Sequence, residues 1–214
     1  VTIVDLPGTY SLTAYSLEER IARNYLLEQK PVAVVHVVDA SNLERNLYLT
    51  TQLMELDVPV IIALNMADLA QSRGFSIDVD LLAQFLGVTI VRTVGHKSKG
   101  TEELKDAILQ VASDPKRHAP NDVGHGEEVE KELLALTQLL EQQDEITEGV
   151  PARWVAIKLL EQDDEVQTML RERATDADEL LAEAEKAVHR IERDFGDPAE
   201  IIIADRRYGF ISGA

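Results

Sequence analysis

Val58-Pro59-Val60-Ile61-Ile62-Ala63-Leu64-Asn65-Met66-Ala67-Asp68 decides the fold of this chain. From Val58 to Leu64 the run is apolar, rich in β-branched residues and free of polar alternation, so it reads as a parallel strand buried on both faces. Polarity returns only at Asn65. In an open α/β sheet the ligand sits beyond the carboxyl ends of the strands, which puts Asn65 and Asp68 on the ligand side. A carboxylate there can accept two hydrogen bonds from the N1 and N2 edge of guanine, which adenine cannot supply.

On either side of this run, Thr2–Val4, Val32–Val38 and Thr89–Val91 read as further buried strands. Helical stretches lie between them at Ser16–Glu28, Leu43–Leu56, Asp78–Phe85 and Thr101–Ala112. Ser16 followed by Glu19 is a capping-box pattern, and Gly87 is placed to end the third helix. Strands alternating with helices predict a doubly wound parallel sheet. Two more polar clusters fall at predicted strand ends, Asp5-Leu6-Pro7-Gly8 and Thr93-Val94-Gly95-His96-Lys97. The Asp5 carboxylate suits the water shell of Mg²⁺, and Gly8 lets a backbone N–H approach a γ-phosphate closely. The N–H of Gly95 is placed to reach guanine O6. No G-x-x-x-x-G-K-[ST] phosphate loop occurs in the chain. The fold expectation is therefore a P-loop-GTPase-like sheet lacking its first strands and its phosphate loop. Such a sheet should have open, poorly protected edges and bind nucleotide weakly by itself.

The stretch Pro115–Gly126 is rich in turn residues and reads as a linker over 116–126, with a partial nucleotide domain at 1–115 before it. Beyond it the periodicity is helical, and 127–200 reads as a small all-α domain. Val129, Leu133, Leu136 and Leu140 make one stripe, and Leu181, Ala184, Val188, Ile191 and Phe195 another. Pro151 suits a helix N1 position, with Trp154, Ile157 and Leu160 on one face. Residues 201–214 continue as a further helix.

Net charge is −18 with a pI near 4.6, which argues against nucleic-acid partners and against docking on anionic lipid. Absence of cysteine excludes disulfides and thiolate metal sites and suits a reducing cytosol. No apolar run approaches the roughly 18 residues of a spanning helix. His36, His96, His118, His125 and His189 lack close metal-ligand spacing and read as satisfied or solvated; His118 and His125 flank the linker and could meet a metal. The acidic run Glu161-Gln162-Asp163-Asp164-Glu165 reads as a solvated helix end. Tyr10, Tyr15 and Tyr25 read as packing around the segment after Gly8.

Taken together these stretches resemble the bacterial ferrous iron transport protein B family. Asp5-Leu6-Pro7-Gly8-Thr9-Tyr10-Ser11-Leu12 is similar to its third GTPase motif and the start of switch II. Val37–Leu49 is similar to its fourth strand and the helix after it, and Asn65-Met66-Ala67-Asp68 carries Met where many small GTPases have Lys. Arg153–Glu161 resembles a signature of its helical domain, and Ala204–Ile211 the segment ahead of its first membrane helix. The resemblance implies GTP or GDP with Mg²⁺ as cofactors. It implies a transport domain in the membrane as partner, a place on the cytoplasmic face of the inner membrane, and an enzyme only in the intact parent. A homo-oligomer is left open. One departure is Val94-Gly95 where the family usually has Ser-Ala. Another consequence concerns Thr9, which stands where Ras-type GTPases place a water-orienting Gln; hydrolysis is expected to be slow, and no catalytic residue is named. The rival readings are a soluble ribosome- or tRNA-associated GTPase and a noncatalytic module of the same fold.

Overall fold

Three parallel strands, β1 (Val34–Asp39), β2 (Val60–Asn65) and β3 (Thr89–Arg92), form a sheet in the order β1-β2-β3. The computed structural model describes residues 2–147 and 149–213. β2 is the centre because it is apolar along its length: Val60 to Leu64 are buried, and the polarity of Asn65 coincides with the edge of the core. Register pairs Asp39 with Asn65 and Leu64 with Arg92, so the strands end together. β1 has β2 on one side only among the described residues, and Val37 is 59% exposed.

Thr2–Val4, expected as a strand, is not one. Strand geometry is held by a hydrogen-bond ladder, and among the described residues no strand runs beside this segment; Ile3 is 81% exposed.

Helices α1 (Leu17–Gln29), α2 (Leu43–Glu55), α3 (Ala67–Ser72), α4 (Val79–Leu86) and α5 (Thr101–Ser113) complete this part. Ser16 opens α1 with the expected capping box: its hydroxyl accepts the Glu19 N–H and the Glu19 carboxylate accepts the Ser16 N–H. Gly87 ends α4 in the left-handed region, its N–H donating to the Ala83 carbonyl. Asn121 covers the remaining carbonyls of α4, donating its backbone N–H to Leu86 and its side-chain amide to Gln84 and Phe85. Pro115–His118 is a short 3-10 turn rather than featureless chain. The fold divides into two units, residues up to Val123 together with the last few residues of the chain, and Gly124–Phe210.

The second unit is helical: α6 (Glu127–Leu140), α7 (Asp144–Thr147), α8 (Ala152–Leu160), α9 (Asp164–Arg173), α10 (Ala177–Phe195) and most of α11 (Ala199–Ser212). α6, α8 and α10 pack on one another through Val129, Leu133, Leu136, Leu140, Trp154, Ile157, Leu160, Val188 and Ile191, all buried. Each such side chain contributes roughly 1.5–3 kcal/mol relative to exposure. Pro151 is the N-cap of α8 rather than its first helical residue.

One feature differs from expectation here. Glu161 is not solvated. It sits 9% exposed between buried Lys158, at 2.6 Å, and buried Arg207. The rest of that acidic run opens α9, where Asp163 caps the N–H groups of Glu165 and Val166. His125 is buried, with its backbone N–H donated to Glu130, and no group of three metal-binding side chains forms among the described residues.

Candidate functional site

At the carboxyl end of β2, Asn65 and Asp68 both accept hydrogen bonds from the loop after β3. Asn65 Oδ1 accepts the backbone N–H of Gly95 at 2.9 Å and the Thr93 hydroxyl at 3.4 Å. Met66 then turns the chain through the left-handed region, with φ of 57° and its side chain 44% exposed, so that α3 starts at Ala67. Asp68 lies in the first turn of α3 with its side chain 38% exposed. Its Oδ1 accepts the Leu69 N–H at 3.0 Å and its Oδ2 accepts Lys97 Nζ at 2.6 Å. The Lys97 hydrogen bond and charge hold the Asp68 carboxyl below its ordinary range.

The loop from Val94 to Lys99 is closed on itself. Val94 and Lys99 exchange both backbone hydrogen bonds, at 3.0 and 3.3 Å, while Lys97 and Ser98 donate back to Val94 and Gly95. Gly100 comes next, in the left-handed region; a Cβ there would stand 2.1 Å from the Arg92 carbonyl, so no other residue fits. Val94 is buried and anchors the loop, leaving Gly95 and His96 exposed. The Gly95 N–H, expected to be available for a base carbonyl, is donated to Asn65.

Asp5, Leu6, Pro7 and Gly8 lie in an irregular exposed-to-half-buried stretch and make no hydrogen bond with Asn65–Asp68 or Val94–His96 among the described residues. The segment just after Gly8 is anchored. The Leu12 N–H and Ser11 hydroxyl both donate to Gln52 Oε1 of α2, at 2.7 and 3.1 Å, and Leu12 is buried. The Thr9 hydroxyl donates to the Ser11 carbonyl at 2.7 Å, within its own turn. Arg45 lies 4.0 Å from the Tyr10 ring centre. Tyr15 is 85% exposed and its backbone N–H donates to the Glu19 carboxylate at 2.9 Å.

Hydrogen bonds thus join Asn65–Asp68 with Val94–His96, and among the described residues none links Asp5–Gly8 to either. Thr93 and Lys97, the two ends of the polar cluster after β3 to which the sequence reading assigns no contact of their own, belong to the joined set as well. The Asp68 carboxylate is 38% exposed while Lys97 holds its Oδ2, so it offers a guanine edge two acceptor oxygens only once that ammonium moves aside. For Mg²⁺ the fit is narrower. Asp5 is an exposed carboxylate that belongs to no group of three metal-binding side chains among the described residues, which suits contact through a water shell rather than a direct ligand set.

Residues 1–108 match the family described as ferrous iron transport protein B, and residues 125–214 the FeoB cytosolic helical domain. A Fe(2+) transport protein A/Fe(2+) transporter FeoB fusion protein of Porphyromonas gingivalis is 40% identical over all of this chain, which covers 26% of that relative. The Fe(2+) transporter FeoB of Salmonella typhimurium is 40% identical over 99% of the chain, again 26% of its own length. Among solved structures, NFeoB from S. thermophilus bound to mGMPPNP superposes with a TM-score of 0.83 at 37% identity, covering 98% of this chain and 76% of that one. The same protein bound to GDP.AlF4- and K+ gives 0.82 at 37%, covering 98% and 78%. The match over the helical part sets aside a ribosome- or tRNA-associated GTPase.

Proposed function

The chain belongs to the ferrous iron transport protein B family, and we propose accordingly that its first unit holds a guanine nucleotide at the carboxyl ends of β2 and β3. It does so as the regulatory part of a ferrous iron transporter on the cytoplasmic face of the bacterial inner membrane. The chain spans about a quarter of the length of its relatives. The remainder of the transporter, with its membrane domain, is the partner to which nucleotide state is passed.

In this reading the Asp68 carboxylate receives the N1–H and N2 amino group of the base. Asn65 holds the Val94–His96 loop in place through Gly95, while Met66 and Ala67 set the turn that aims Asp68. Asp5 holds Mg²⁺ through water, and Leu6, Pro7 and Gly8 bring a backbone N–H to the terminal phosphate. The carrying observation is the Asn65–Gly95 hydrogen bond at 2.9 Å, which unites two sequence-distant motifs beside an accessible carboxylate. The Thr9 hydroxyl, turned to the Ser11 carbonyl, supports slow hydrolysis.

Titration of fluorescent GDP and XDP against the full-length protein and its Asp68→Asn variant tests this. The amide reverses one hydrogen bond to the base edge, and a hydrogen bond to a charged group contributes roughly 1.5–3 kcal/mol. GDP affinity should fall about tenfold or more while XDP affinity rises. Unaltered GDP-over-XDP selectivity would remove Asp68 from the site.

A further inference from the structure

We propose that Lys97 is a specificity-site latch: its ammonium occupies the guanine-recognising oxygen of Asp68 and must leave before the base can enter. This rests on the nucleotide reading above and adds a regulating residue to it. A guanine edge needs both oxygens of Asp68, yet Oδ2 is taken by Lys97 at 2.6 Å and Oδ1 by the Leu69 N–H at 3.0 Å. The Leu69 contact is local and compatible with further acceptance, because each carboxylate oxygen has two lone pairs. The Lys97 contact blocks differently. It places a full positive charge, unlike a local amide N–H, on the oxygen that the donors of the base must also use, from a loop that Gly100 and the Val94–Lys99 bridge hold in one shape.

Lys97 also lies within reach only because of the loop's construction. Its backbone N–H donates to the Val94 carbonyl at 2.9 Å, and Ser98 takes a left-handed conformation, with φ of 52°. Asn65 ties the same loop to β2 through Gly95. The elements that shape the base site therefore also deliver its competitor. Both partners of the pair are well exposed, at 57% and 38%, so the latch is weak and reversible. An exposed pair of this kind corresponds to about a two- to fivefold bias toward the closed form. A ligand that binds only the open form sees its affinity reduced by the fraction open.

The test is stopped-flow binding of fluorescent GDP to the full-length protein and its Lys97→Met variant. Lys105→Met serves as control, removing one positive charge from α5 where it pairs with the exposed Glu102. Lys97→Met should raise the association rate about three- to sixfold at ~50 mM salt, leave the dissociation rate unchanged, and lose most of that advantage at ~500 mM salt, where exposed pairs are screened. Lys105→Met should do none of this. An unchanged association rate in Lys97→Met, or a faster dissociation showing that Lys97 holds the bound nucleotide, would overturn the latch while leaving the nucleotide reading intact. Failure of wild-type and Lys97→Met proteins alike to bind GDP would instead overturn the nucleotide reading, and the latch with it.

Discussion

Asn65 and Gly95 lie thirty positions apart in the chain and meet through a single hydrogen bond of 2.9 Å, from the glycine N–H to the asparagine Oδ1. The loop after β3 is thereby tied to the end of β2. Asn65→Ala removes this tie and the longer one to the Thr93 hydroxyl. Hydrogen exchange at Gly95 should accelerate and GDP affinity should fall about three- to tenfold, the worth of a net hydrogen bond near 1 kcal/mol. Because Asp68 is untouched, preference for GDP over XDP should persist. Loss of that preference would mean Asn65 itself reads the base.

Gly95 is not required to be glycine. A Cβ built there meets only the Asn65 side chain, at 3.6 Å and 3.7 Å, which is ordinary contact. Gly95→Ala should therefore keep the loop and reduce the freedom of the unfolded chain, stabilising by about 0.4–1 kcal/mol. Thermal melting of the paired proteins checks the sign. Destabilisation would show that the loop needs a backbone state alanine avoids.

Much of this site was legible because burial and polarity change sharply at one residue. β2 is apolar to Leu64 and polar from Asn65, so its end and its ligand side could be read directly, and the helix caps came from the Ser16 and Glu19 side chains and from the backbone freedom of Gly87. Thr2–Val4 misled for the opposite reason: β-branched composition suits a strand, but only a neighbour can supply the ladder. Glu161 could not be read either. An acidic run looks solvated until Arg207, forty-six positions on, folds against it. Lys97 lay in plain view, and only the closed loop shows that its ammonium reaches Asp68.

His36 provides a pH signature for the sheet. It is buried on β1 with Nδ1 2.9 Å from the Thr50 hydroxyl, and burial pushes its pKa down from 6.5 to about 4. Below pH 6.5 the unfolded chain takes up a proton that the folded chain refuses until about pH 4. Stability from this group is thus complete above 6.5 and declines through that window, by about 3 kcal/mol in total. His36→Gln keeps a hydrogen-bonding partner for Thr50 and does not titrate. Urea denaturation at pH 7 and pH 4.5 should show a smaller loss for the variant than for the wild type; equal losses would place the acid sensitivity elsewhere.

Glu130 adds a second, lower window. Burial opposes its ionisation, but the Arg153 fork, two hydrogen bonds of 2.8 Å, and the His125 N–H outweigh it and hold the carboxyl below its ordinary value of 4.5. The stability this contributes is present above 4.5 and lost as pH falls through the lower folded value. Glu130→Gln should therefore be less stable than wild type at neutral pH and approach it below pH 4, as read by helical circular dichroism on melting. A constant gap across that range would mean the residue acts through shape alone.

The sharpest asymmetry should come from Glu161, Lys158 and Arg207. Both cations are almost wholly buried, at 1% and 0% exposure, and converge on one carboxylate that is itself 9% exposed. A buried pair is weak evidence of net stabilisation, yet deleting one partner leaves a desolvated charge uncompensated and costs about 3–5 kcal/mol. Here Glu161→Ala takes the carboxylate from two cations at once, whereas Lys158→Met removes one cation and leaves the Arg207 pair in place. Lys158 also lies 5.9 Å from the Trp154 ring centre, a contact that a methionine side chain partly replaces by packing. Glu161→Ala should therefore lower the melting temperature of the helical unit on the order of 15 °C or more, and Lys158→Met by only a fraction of that. If the two variants melt within a few degrees of each other, the carboxylate is not the hub that holds α8 against α11.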